Sequence, residues 1–190
     1  TSINLLIIGG VLFLCVTLNV DDILSLLPAK FSQAKMVVIL IGCAQLFPLL
    51  AGLQGSILVN SPYYRSIVYF NLFLFGVTIL TNILFIPLYG IDGAALATLV
   101  SIASLNFARV FYVFNKLNMH PFSINTIYAI LLIVGLYFGI GLFSFTDYAI
   151  VNIVLRSLIV LILFFMAIVK FRLSEDLSKL LSDILIKIKK

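Results

Sequence analysis

The feature that most constrains this chain is a series of apolar runs, separated by short polar segments. A helix that crosses a bilayer needs about 20 mostly apolar residues, and its backbone groups must be hydrogen-bonded within the segment. The runs lack the polar and apolar alternation of a barrel strand, and they are about twice as long as one. Six runs are therefore predicted to be membrane-spanning helices: 3–20, 36–59, 66–86, 93–115, 124–145 and 148–169.

The composition excludes a water-soluble domain. Hydrophobic residues make up 63% of the 190 residues and charged residues 10%, and the mean hydropathy is +1.26. Soluble domains contain about 45–50% apolar and about 25% charged residues. The same composition excludes a disordered chain, a disulfide scaffold and a nucleic-acid-binding domain. The predicted fold class is an all-α integral membrane protein, with its six spans within residues 1–173.

The distribution of charge predicts the orientation of these spans. With six spans both ends lie on one side of the membrane, and that side carries most of the Lys and Arg residues, including Arg65, Arg109 and Lys116. The positive-inside rule therefore predicts that both ends are cytoplasmic, and it accounts for most of the +5 net charge. In the tail, residues 174–190, apolar residues recur at helical spacing and lysines follow. This pattern predicts an amphipathic helix on the inner leaflet.

The most specific stretch of sequence covers residues 82–101 and reads NILFIPLYGIDGAALATLVS. Pro87 and Gly90 predict a tight turn between two helices. Small residues then recur at every fourth position on one helix face: Gly93, Ala97 and Ser101. Small residues at this spacing let two helix backbones approach closely. A closely packed helical hairpin explains the whole stretch without any further function.

The same stretch resembles the P-x-Y-G-I-x-G-A-A-x-A-T signature of polysaccharide biosynthesis membrane proteins. These are the Wzx-type oligosaccharide-lipid flippases of the multidrug, oligosaccharidyl-lipid and polysaccharide exporter superfamily. The resemblance covers roughly residues 21–122, with N-S-P-Y-Y-R at 60–65 and M-H-P-F at 119–122. It implies that the six spans are the last six helices of a fourteen-helix transporter, namely the end of the second lobe and two extra helices. The chain is then the C-terminal part of a longer protein.

The function that the resemblance implies is translocation of an undecaprenyl-diphosphate-linked oligosaccharide across the bacterial inner membrane by alternating access. The product would serve O-antigen, capsule or exopolysaccharide synthesis. The implied partners are the lipid-linked oligosaccharide, membrane lipid and the missing N-terminal helices of the same chain, with no cofactor. Two alternatives stay open: a cation-coupled small-molecule exporter of the same superfamily, and a non-transporting scaffold in an envelope-assembly complex.

Polar side chains inside the spans are candidates for a substrate path, because each is costly in hydrocarbon. Arg109, with Asn106 close to it on the helix, fits a cation that holds a substrate diphosphate, or a side chain that snorkels to the headgroups. Further candidates fit either a polar path or packing hydrogen bonds between helices: Asn71, Thr78, Asn82 and Gln45. Pro48 interrupts the second span and predicts a kink that is either a hinge or a static bend.

The remaining charged residues predict no chemistry within the spans. Arg156, in the sixth span, is expected to snorkel past Asp147 and Asn152 towards the outer headgroups, where it can form a local ion pair. All seven acidic residues lie at or beyond the predicted span ends, so no buried carboxylate is expected for coupling to protons or sodium. The sequence has no metal-ligand cluster, no nucleophile with a partner and no phosphate-binding glycine loop. The prediction is therefore a protein that is not an enzyme and has no metal site.

Overall fold

The computed structural model of the chain describes residues 2–117, 124–141 and 148–171. Every regular element in these ranges is a helix and none is a strand, which confirms the all-α prediction. In chain order the elements are α1 (Ser2–Thr17), α2 (Val20–Ser25), a 3-10 helix (Ala29–Ala34), α3 (Lys35–Ala51), α4 (Gln54–Val59), α5 (Ser66–Leu117), α6 (Ile124–Gly141) and α7 (Ala149–Phe171).

Four described helical segments are long and apolar enough to cross a membrane: 29–51, 66–117, 124–141 and 149–167. The apolar part of α1, Ile3–Thr17, is shorter than a full crossing. These segments indicate a membrane-embedded helical protein. The count of six spans stays a prediction, and the predicted tail helix at 174–190 lies outside the described residues.

The helices form two compact units. The first unit contains α1, α2, α6 and α7, and its core includes the fully buried side chains of Leu6 and Phe164. A Cβ added at Gly10 would collide with the side chain of Ile133, so α1 and α6 approach closely at this glycine. The second unit contains the 3-10 helix, α3, α4 and α5, with α3 packed along α5.

Helix α5 is a hairpin of two legs, 66–89 and 91–117. Gly90 divides them with φ 58° and ψ −126°, a conformation outside the helical region. In a straight helix residues 81 and 101 would lie about 30 Å apart, whereas the hydroxyl oxygens of Thr81 and Ser101 lie 3.1 Å apart. The predicted hairpin is confirmed. The end predicted for its first helix is wrong, because Pro87 lies inside the helical run and the chain turns later.

The predicted span 36–59 is wrong as a single helix. The structure has two helices here, α3 and α4, and the break lies at Gly52 with φ 68°. Pro48 lies inside α3 without ending it, and its carbonyl accepts the Gly52 N–H at 2.9 Å. The proline lacks a backbone donor but keeps its acceptor, whereas only glycine readily adopts the positive φ at the break. The interruption of this span therefore depends on Gly52 and not on Pro48.

The first span also ends differently from the prediction, which placed its end at residue 20. Helix α1 ends at Thr17, and both Asp21 and Asp22 lie inside the short helix α2. A break inside an apolar segment leaves carbonyls that need donors. Asn19 supplies one of these donors, because its Nδ2 bonds the carbonyl of Cys15 at 2.8 Å. Side chains thus stabilise the interruption between α1 and α2.

Candidate functional site

A cleft of about 380 Å³ lies in the second unit, between α4 and both legs of α5. Helix α4 and its C-cap form most of its wall, and each leg of α5 adds one residue. The residues that line the cleft are Gly55, Ser56, Leu58, Val59, Asn60, Ile67 and Arg109. The cleft therefore combines apolar walls with a hydroxyl, an amide and a guanidinium group, which is the usual composition of a ligand site.

Arg109 supplies the positive charge of this cleft from the C-terminal leg of α5. Its side chain is half-buried, and its guanidinium carbon lies 6.0 Å from the centroid of the Phe70 ring. This distance is within the range of a cation–π contact. Among the described residues, no carboxylate lies within ion-pair distance of Arg109. The charge is held in place by an aromatic ring and is not neutralised by an acid.

Three aromatic rings pack together at the end of the hairpin that lies opposite its turn. Phe70 and Tyr112 pack edge to face with their centroids 5.5 Å apart, and Tyr63 packs against Tyr112 in the same way at 6.2 Å. Edge-to-face pairs of this kind contribute about 0.5–1.5 kcal/mol beyond the area that they bury. The ring beneath Arg109 is therefore fixed by packing between the two legs.

The other predicted path residues lie outside the lining of the cleft. Asn106 is 8% exposed, and its amide donates to a carbonyl one turn earlier in its own helix. Asn82 likewise donates to the carbonyl of Thr78 at 2.7 Å. Gln45 and Asn71 are exposed on the surface of the second unit. The structure thus brings Arg109 into a cleft but does not gather these residues around it.

The small residues predicted to pack do so inside the hairpin. A Cβ added at Gly93 would overlap the backbone carbonyl of Phe85 on the facing leg. The Thr81 hydroxyl lies 3.1 Å from the hydroxyl of Ser101 and 3.4 Å from the carbonyl of Ala97. Sequence reasoning missed Thr81, and the signal that could have found it is its position opposite Ser101 once the turn is set at Gly90.

A second polar cluster joins α2 to α7 in the first unit, and the sequence did not predict that Asp22 and Asn19 take part in it. Arg156 is only 9% exposed, and its Nη1 donates to Oδ2 of Asp22 at 2.8 Å and to the carbonyl of Leu18 at 3.0 Å. Arg156 therefore forms a local ion pair, and its partner is Asp22. The half-buried carboxylate of Asp22 thus gives this arginine a charge-assisted hydrogen bond within the protein.

Asn19 completes this cluster. It is fully buried, and its Nδ2 also donates to Oγ of Ser157 at 3.2 Å, while its Oδ1 is buried without a hydrogen-bond partner. The Asp22 side chain is 18% exposed. Asp22, one of the acidic residues expected at the span ends, is therefore half-buried and paired with Arg156.

Searches against protein-family models, curated proteins and solved structures give no match to this chain. The class is therefore defined by the architecture alone, as an α-helical membrane-embedded protein. In the described ranges no group of three His, Cys, Asp or Glu side chains is placed to hold a metal ion. Among the described residues, the candidate functional groups are therefore Arg109, in the cleft, and the ion pair between Arg156 and Asp22.

Proposed function

We propose that this chain is part of a flippase that moves an undecaprenyl-diphosphate-linked oligosaccharide across the bacterial inner membrane by alternating access. In this proposal the described helices contribute to the second lobe of a fourteen-helix transporter. The observation that carries it is Arg109, a cation without a carboxylate partner among the described residues, in a cleft within apolar helices. Such a group is costly in hydrocarbon unless an anion compensates it.

The chemistry of the cleft fits a phosphate group. A guanidinium group presents its donors in a planar fork that matches phosphate oxygens, and it keeps its charge at any physiological pH. Ser56 and Asn60 add a hydroxyl and an amide to the same lining. The aromatic contact with Phe70 fixes the position of the arginine without consuming its hydrogen bonds. The diphosphate of the lipid carrier is therefore the part of the substrate that we assign to this cleft.

The packing of the α5 hairpin also supports this proposal. Residues 87–98 carry the resemblance to the flippase signature, and they form the turn and the first close contacts between the legs. Tight packing at Gly93 lets the two legs act as one rigid element. Alternating access needs rigid elements that rock against each other around a binding site.

The experiment that tests the proposal is binding of undecaprenyl diphosphate to the purified full-length protein, with neutral undecaprenol as the comparison ligand. We expect Arg109→Gln to weaken binding of the diphosphate by roughly 10-fold to 100-fold, because hydrogen bonds to charged groups contribute about 1.5–3 kcal/mol. Binding of undecaprenol should not change. Arg65→Gln is the matched control, since Arg65 is exposed on the turn before α5 and does not line the cleft.

Equal binding of the two ligands by the wild type would contradict the proposal, and so would equal losses in both variants. A test in cells addresses translocation itself. Depletion of the protein should leave lipid-linked repeat units on the cytoplasmic face of the membrane. If the repeat units still reach the periplasm at the normal rate, the protein is not their flippase.

Asp22 favours a second candidate, a cation-coupled exporter of small molecules. Acidic groups inside membrane proteins often mark proton and ion pathways, and the half-buried Asp22 is such a group. Efflux from proteoliposomes, driven by an imposed proton or sodium gradient, distinguishes the two functions. Gradient-dependent efflux of a cationic dye, without any binding of undecaprenyl diphosphate, would favour the exporter.

A further inference from the structure

Gly55 lies beside the guanidinium group of Arg109, and both residues line the cleft of the second unit. A Cβ added at Gly55 would lie 4.0 Å from Nη1 of Arg109, which is an ordinary van der Waals distance. Among the described residues, no other atom outside α4 lies as near to that position. The missing side chain of this glycine therefore leaves open space next to the charged group of the cleft.

The fold itself does not require a glycine at this position. Gly52 and Gly90 have a positive φ, which favours glycine, whereas Gly55 lies inside the helix α4 and has no positive φ. A Cβ at Gly93 would overlap the backbone of the facing leg, whereas a Cβ at Gly55 has room. Glycine is also less favourable than alanine inside a helix. The structural effect of the missing side chain at Gly55 is therefore the open space in the cleft.

The two walls that enclose this space are held in place by packing. Gln54 and Leu58 lie one turn apart on the buried face of α4, with 4% and 0% of their surface exposed, and α4 packs against α5. Arg109 is held by its contact with the Phe70 ring. Helix α4 cannot withdraw from α5 without losing the packing of its buried face. A larger side chain at Gly55 would therefore extend into the cleft.

We propose that Gly55 is a specificity-determining residue of the Arg109 cleft, and that its missing side chain admits a phosphate group with large substituents. The inference rests on the proposed function, in which the ligand is a diphosphate linked to a lipid and to a sugar. A phosphate oxygen bonded to the guanidinium group lies about 2.7–2.9 Å from its nitrogen. The substituents of the phosphate then need the space beside that group, part of which any side chain at Gly55 would occupy.

The first test measures access to the guanidinium group and does not depend on the ligand. The full-length protein in detergent is treated with phenylglyoxal, a bulky reagent that modifies arginine, and the modified residues are quantified by mass spectrometry. We expect Gly55→Leu to slow the modification of Arg109 strongly, and Gly55→Ala to slow it less. Arg65, on the exposed turn before α5, should react at the same rate in every variant.

The second test compares a large ligand, undecaprenyl diphosphate, with a small one, inorganic diphosphate. We expect Gly55→Leu to weaken binding of undecaprenyl diphosphate by roughly 10-fold, because the added side chain overfills the site. Binding of inorganic diphosphate should change by less than about 3-fold, since a small anion can use the other N–H donors of the guanidinium group. Gly76→Leu is the matched control, because Gly76 is exposed on the N-terminal leg of α5 and a Cβ there meets no atom within 4 Å.

The inference is overturned if Arg109 reacts equally fast in Gly55→Leu and wild type, if both ligands lose the same affinity, or if Gly76→Leu has the same effect. If Gly55→Leu does not fold, Gly55→Met takes its place with the same expectations, because its unbranched side chain adapts to irregular space. Failure of the proposed function has a different signature. A wild type that binds undecaprenyl diphosphate no better than undecaprenol contradicts that function, whereas the reactivity of Arg109 still shows whether Gly55 controls access to it.

Discussion

The two units of this protein each place an arginine among apolar helices, and they treat it in opposite ways. In the first unit Arg156 is neutralised by Asp22 and holds α2 against α7. In the second unit Arg109 has an aromatic ring beneath it and no carboxylate partner among the described residues. The hairpin that carries Arg109 is held together by small residues in close contact. Arg156 is thus paired within the protein and joins two helices, whereas the charge of Arg109 lies in a cleft without an acidic partner among the described residues.

The largest expected effect comes from breaking the internal pair. Arg156→Met should lower the free energy of unfolding by up to about 3 kcal/mol, because it leaves the half-buried Asp22 carboxylate without its ion-pair partner. Arg109→Met should lower it by only about 0.5–1 kcal/mol, the contribution of a cation–π contact. The measurement is denaturation in sodium dodecyl sulfate followed by circular dichroism. If the two variants lose the same free energy of unfolding, the ion pair of Arg156 contributes no more to stability than the aromatic contact of Arg109.

A double substitution provides the control for that prediction. The variant with both Asp22→Leu and Arg156→Met carries no unpaired charge, and its free energy of unfolding should lie closer to that of the wild type than either single variant. A loss equal to the sum of the two single losses would mean that the pair acts through packing and not through charge.

The next effect tests the cohesion of the hairpin. Gly93→Ala should lower the free energy of unfolding by about 1–3 kcal/mol, since the added methyl group meets the backbone of the facing leg and the legs must move apart. Gly76→Ala, on the N-terminal leg, is the control because a Cβ there meets no atom within 4 Å. It should stabilise the helix by up to about 1 kcal/mol. The same denaturation assay applies, and a neutral Gly93→Ala would contradict close packing.

The smallest effect concerns the hydroxyl contact between the legs. Thr81→Val should cost about 0.6 kcal/mol, the average for a hydrogen bond between membrane helices. Thr98→Val is the matched control, because the Thr98 hydroxyl bonds the carbonyl of Ala94 in its own leg. It should change the free energy of unfolding less than Thr81→Val does. The reverse order would show that cohesion of the hairpin does not depend on bonds between its legs.

Features that depend on neighbouring residues were predictable from the sequence. The turn at Gly90 and the packing of Gly93 and Ala97 follow from a local pattern of turn and small residues, and the structure shows both. The helical runs were predictable for the same reason, since the length and polarity of a segment are local properties. Arg109 was predictable as a candidate because its charge stands out in an apolar run.

Features that depend on distant residues were not predictable. Asp22 and Arg156 are separated by 134 positions, and only the folded unit shows that they meet. The break at Gly52 was missed because Pro48 is the more conspicuous signal, although a proline in a helix still leaves its carbonyl able to close the last turn. The lining of the Arg109 cleft depends on that break, since α4 supplies most of its wall.

The hairpin of α5 also bears on how the chain enters the bilayer. The turn between its legs, residues 87–92, contains one charged residue, Asp92, so little hydration must be given up when the turn crosses the hydrocarbon layer. The legs meet at Gly93 and again at Thr81 and Ser101, so these contacts join positions that are at most 20 residues apart in sequence. The two legs can therefore enter the bilayer together as a helical pair.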